Sequence, residues 1–137
     1  MTSLVNNTKK YINLIVLIIA IILLIIIGDN YYDYYKNESI RKDADTFIKN
    51  IKISNLKDIT IMHSKDGNNI FFDIRIKLDL SKKEILKEYE SYFNYVESLF
   101  STTDFKNSNI SINKIVIYDS NGNGVITKEL NKIYIYD

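Results

Sequence analysis

The segment Asp119-Ser120-Asn121-Gly122-Asn123-Gly124-Val125-Ile126 comes nearest, in residue types and spacing, to a recognisable chemistry. Oxygen-bearing side chains at positions one, three and five, Gly at six and Ile at eight match the opening of a twelve-residue calcium loop. Such a loop closes with a bidentate acid at its twelfth position. Here that position is Leu130, and Glu129 falls one residue early. Asn and Gly tolerate left-handed backbone, and the flanks read as strands, so the segment is expected to be a hairpin turn without a metal.

His63 is the single histidine and there is no cysteine, which excludes disulfides, thiolate metal sites and cysteine nucleophiles. A general base needs a partner and a cleft, and the sequence supplies neither for His63. Asp43 and Asp45 lie two apart on a helical pattern, so they point to different sides and make no acid/base pair. Gly122 and Gly124 lack the Lys-Ser/Thr of a phosphate loop. Lys+Arg is 18 against 17 Asp+Glu, a net charge of +1 that leaves no footprint for nucleic acid. No catalytic residue and no cofactor is expected.

The apolar residues place the chain more firmly than its polar ones. Leu14 to Ile27 is an unbroken apolar run, and no charge falls between Lys10 and Asp29. Taken as residues 11–28, the segment reaches roughly 27 Å as a helix, close to the hydrocarbon thickness of a bilayer. A soluble core helix would carry a polar stripe, and this one has none. Lys9 and Lys10 precede the run, and all 17 acidic residues follow it. Positive charge stays on the cytoplasmic side, so residues 1–10 are expected inside and residues beyond 28 outside. Tyr11 at one end, with Tyr31, Tyr32, Tyr34 and Tyr35 at the other, suit the two headgroup layers. Ile25-Ile26-Ile27-Gly28-Asp29 has no small-residue cleavage pattern, which favours an uncleaved anchor over a signal peptide. A pilin-like precursor would need a Gly ahead of the run and a Glu soon after it, and both are missing.

Beyond the anchor the hydrophobic period changes element by element. Ile40, Ala44, Phe47, Ile48 and Ile51 form a helical stripe, giving a helix over 38–52 within a juxtamembrane segment, 29–56. Residues 58–64 read as a strand with Ile59, Ile61 and His63 on one face, and Asp66-Gly67 as the turn after it. Ile70, Phe72, Ile74, Ile76, Leu78 and Leu80 alternate with Phe71, Asp73, Arg75, Lys77 and Asp79, the mark of a half-buried strand. Ser81-Lys82-Lys83-Glu84 is a capping box, and the stripe from Ile85 to Phe100 continues it as a helix over 81–102. A strand over 110–119, with its alternation slipping at Asn113-Lys114, and a returning strand over 125–137 complete the order.

Helix, ββ, helix, ββ predicts an α+β domain over 57–137 with a four-stranded antiparallel sheet and helix 81–102 on its Ile-rich face. The helix over 38–52 would cap an end, cover the second face or lie on the membrane. Tyr118, Tyr134 and Tyr136, with Phe71, Met62 and Val116, fall on the face away from helix 81–102 and form a candidate partner surface. The expected function is a single-pass, noncatalytic membrane protein with an extracytoplasmic domain that binds a protein or ligand. Its expected partners are the membrane and another envelope protein. The alternatives are a membrane-held immunity protein against a toxin or bacteriocin and, behind that, an enzyme subunit.

Overall fold

The computed structural model describes residues 2–137, with side chains from residue 8 onward. Met1, part of the segment expected inside the cell, lies outside the described residues. The chain runs as α1 (Thr2–Asn50), β1 (Leu56–Asp66), β2 (Asn69–Leu78), α2 (Lys82–Thr102), β3 (Ile110–Tyr118), β4 (Gly124–Glu129) and β5 (Lys132–Ile135), an α+β order. It divides into two compact units, Met1–Glu38 and Ser39–Asp137.

The first unit is helical throughout its described residues, and it contains a stretch long and apolar enough to cross a membrane. β-branched Ile and Val are mediocre helix formers in water. Where no water can bond the backbone, a helix satisfies every N–H and C=O by itself. The side chains from Tyr11 to Ile27 are exposed, with Leu24 at 69% and Ile21 at 48%. At the far end of the run the hydroxyls of Tyr31 and Tyr35, one helical turn apart, share a hydrogen bond of 2.8 Å.

The second unit is built on a five-stranded sheet in the order β1-β2-β3-β4-β5. Two features depart from the sequence expectation. The sheet is mixed rather than antiparallel, because β2 and β3 run parallel, Ile74 opposite Ile115 and Ile76 opposite Ile117. The chain leaves β2 at one end and α2 carries it back to start β3 at the other. The final run is also two strands, not one. Leu130 adopts φ 54°, and β4 turns back into β5 around Leu130-Asn131, with Glu129 opposite Lys132. Leucine at positive φ is strained, which is why its type gives no warning of a turn. The slip expected at Asn113-Lys114 is present: Phe72 faces Ile112, Asp73 faces Lys114, and Asn113 bulges out.

The period-two pattern of β2 buries Ile70, Phe72, Ile74, Ile76 and Leu78. They meet Ile115 and Ile117 of β3, Ile126 of β4, and Ile85, Phe93 and Val96 of α2 in one core. The capping box forms as read: Ser81 Oγ accepts from the Glu84 N–H and Glu84 accepts from the Ser81 N–H. Val125 and Ile126 are both fully buried although adjacent. A bulge between Ile117 and Tyr118 leaves Val125 without a partner on β3 and free to turn inward, while its carbonyl accepts from the Tyr136 N–H at 2.9 Å.

The last turns of α1 belong to this core. Ile40, Ala44 and Phe47 are buried, as is Ile51 just past the helix end, and the Phe47 ring meets Phe100 of α2 edge-on at 5.6 Å between centroids. Phe100 in turn meets Phe72 at 6.2 Å. Residues 39–50 therefore join α2 on the Ile-rich face and do not cover the opposite face. Asp43, on the same stretch, is 2% exposed. Its carboxylate accepts from the backbone N–H groups of Lys106 (2.8 Å) and Asn107 (2.9 Å) and from Asn107 Nδ2 (2.8 Å). Asn107 Nδ2 also donates to Ser39 Oγ. The α2–β3 loop is thereby tied to α1 by groups that would otherwise be buried without partners.

Candidate interaction face

Within the second unit, α2 and residues 39–50 of α1 pack on one side of the sheet, and the unit leaves the other face open. Strand pairing fixes what it presents: Asp58, Thr60 and Met62 from β1, Phe71, Asp73, Arg75 and Lys77 from β2, Lys114, Val116 and Tyr118 from β3, Thr127 from β4 and Tyr134 from β5. Tyr134 lies opposite Thr127, and the Thr127 and Tyr136 hydroxyls share a hydrogen bond of 2.7 Å. A Cβ at Gly124 would sit 3.6 Å from the Tyr136 ring and 3.8 Å from the Tyr118 ring, so the two rings flank that glycine. The backbone carbonyl of Tyr136 accepts from Lys82 Nζ.

Tyr118, Tyr134 and Tyr136 thus collect at the β3–β5 end of the open face, where Val116 and Thr127 are buried. Phe71 shares the face but not the cluster. It lies between Ser64 and Ser111, while Tyr118 lies beside Lys77, six residues along β2 and about 20 Å away. Alternation assigns a face correctly but says nothing about which end of a strand a neighbour reaches. Tyr11, Tyr31, Tyr32, Tyr34 and Tyr35, expected at the membrane interface, are all exposed on α1.

Between β1 and β3 the open face holds a shallow groove of about 220 Å³ lined by Asp58, Thr60, Arg75, Lys77, Tyr118 and Gly122. Asp73, the next acid along β2, accepts from Asn113 Nδ2 at 2.7 Å and pairs with Lys114 at 3.7 Å. Lys128, on the helix side of the sheet, pairs with Glu97 at 2.6 Å. Arg75 and Lys77 form neither an ion pair nor a side-chain hydrogen bond among the described residues. Residue type alone does not single out these two bases. The signal was present in the alternation, which puts them two apart on one face with Asp73 the nearest acid on their own strand.

The other residues singled out by type separate. His63 is exposed on β1, opposite Phe72, with no side-chain hydrogen bond or ion pair among the described residues. Asp43 is buried and Asp45 exposed, on different sides of α1 as their spacing requires. Asp119 directs Oδ1 at its own turn, accepting from the N–H groups of Asn121 and Asn123, both at 2.9 Å. These bonds, that of Asn123 foremost, hold the Asp119 carboxyl below the ordinary aspartate range. A depressed carboxyl stabilises the fold above its unfolded pKa, and the contribution is lost as pH falls through the folded value. Asp119→Ala should therefore melt below the wild type at neutral pH. The gap should close as the pH drops below about 4. Melting curves of both proteins at pH 7 and pH 3 check this, and a gap that stays constant would refute it.

No family model, curated protein or solved structure matches the chain.

Proposed function

We infer that the protein is a single-pass membrane protein whose α1 span anchors an extracytoplasmic, noncatalytic binding domain, acting with another protein of the cell envelope. The carrying observation is the apolar stretch of α1, whose large side chains stand exposed along its whole length. In water such a surface would drive association, whereas in a bilayer it meets hydrocarbon. Orientation follows from Lys9 and Lys10 on one flank and the acids Asp29 and Asp33 on the other. The open face supplies the binding surface, since Tyr118, Tyr134 and Tyr136 combine large apolar area with hydroxyls that remain wet.

Alkaline phosphatase fused after Asp137 should be active in cells, and a cytoplasmic reporter fused at the same point should be silent. The reverse result overturns the orientation, and equal soluble and membrane fractions for the unfused chain overturn the anchor.

A further inference from the structure

We propose that the groove between β1 and β3 holds a carboxylate side chain of an acidic, extended segment of the partner protein. Arg75 and Lys77 are the recognising bases and the tyrosine cluster is the adjoining contact. The proposal deepens the reading of the open face as a partner surface and rests on it.

The groove carries unmatched charge. Alternation along β2 sets Arg75 and Lys77 side by side on the open face, about 7 Å apart along the strand. Two like charges at that spacing repel, and the neighbouring acid that might have neutralised them is occupied. Asp73 is taken by Asn113 and Lys114. Asp58, the cross-strand neighbour of Lys77, lines the groove without making an ion pair to either base. Two bases and one acid leave the groove one positive charge in excess, which matches a monoanion better than a dianionic phosphate. The guanidinium fork of Arg75 fits a carboxylate through two parallel N–H donors. Thr60 and Tyr118 add hydroxyls at the groove wall.

Gly122 lines the groove beside Lys77. It sits at φ 84°, in the left-handed region, and a Cβ there would lie 3.4 Å from Lys77 Nζ. Another residue would be strained there by its backbone, while its Cβ would only reach ordinary contact with the Lys77 side chain. Behind Gly122 the Tyr118 and Tyr136 rings flank Gly124, so a chain leaving the groove in that direction passes over aromatic surface. An acidic residue beside apolar ones is the partner chemistry that this arrangement complements.

The test uses the full chain in zwitterionic micelles and a fluorescein-labelled hexaglutamate peptide, followed by anisotropy. Labelled hexaglutamate should bind at least about tenfold more tightly than labelled hexaglutamine. The double variant Arg75→Gln, Lys77→Gln should lose that preference, while Lys83→Gln, on exposed α2 surface, should keep it. Raising NaCl from about 20 to 500 mM should weaken wild-type binding by about tenfold or more, a readout that needs no variant to fold. Retained preference in a folded double variant, or no salt dependence, overturns the proposal. Displacement of hexaglutamate by inorganic phosphate at a lower concentration than by glutamate also overturns it and makes the groove a phosphate site. The reporter fusions decide the orientation separately, so a cytoplasmic domain that still binds hexaglutamate through Arg75 and Lys77 would refute the functional reading and leave the groove's chemistry standing.

Discussion

Asp43→Ala will destabilise the Ser39–Asp137 unit by about 3 kcal/mol, and Asp45→Ala will change it by no more than about 0.5. The two acids are near neighbours on one helix and differ in what surrounds them. Asp43 is 2% exposed and accepts three hydrogen bonds from Lys106 and Asn107. Truncation removes all three and leaves two backbone N–H groups without acceptors in a partly buried loop, at about 1–3 kcal/mol for each unsatisfied group. Asp45 is exposed. Asn107→Ala should fall between the two, at about 1 kcal/mol, because it removes the Nδ2 bonds and leaves both backbone donors paired to Asp43. Denaturant titration of the full chain in micelles, read by near-ultraviolet dichroism of the tyrosines, gives the three values. Equal losses for Asp43→Ala and Asp45→Ala would show that the loop is not held through this carboxylate.

Phe72→Ala will be costlier, about 3–5 kcal/mol. Phe72 is fully buried at the meeting point of the two helices and the sheet, with its ring 6.2 Å from Phe100 and 6.0 Å from Phe105, both edge-on. The substitution removes the burial of a large ring, leaves a cavity, and ends two edge-to-face contacts that add to area burial. Phe71→Ala, on the other face of the same strand and half-buried beside Ser64 and Ser111, should cost clearly less. The same titration checks it. A Phe71→Ala loss equal to that of Phe72→Ala would mean that the face assignment of β2 is inverted.

That face assignment was legible in the sequence because alternation is a local property. A strand buried on one side repeats its apolar residues every two positions, and Ile70 to Leu78 do so without a break. The α2 start was legible for a similar reason, since Ser81 and Glu84 satisfy each other's backbone within one turn. The apolar stretch of α1 needed only composition and length. The bulge at Asn113 showed as a slip in the same pattern.

What only the tertiary structure decided depends on residues far apart in the chain. No local pattern states that β3 lies parallel to β2, because that follows from the path α2 takes across the sheet. Leu130 is not a turn-forming type, and its positive φ is imposed by the pairing of Glu129 with Lys132. On the helical stripe Asp43 looks like any solvated acid, since the amides that require it are at Lys106 and Asn107. The groove has the same origin. Alternation sets Arg75 and Lys77 on one face, but whether an acid neutralises them depends on β1 and β3, and Asp73 is claimed by Asn113 and Lys114 from the neighbouring strand. Sequence period determines which way a side chain faces, and tertiary pairing determines what it finds there.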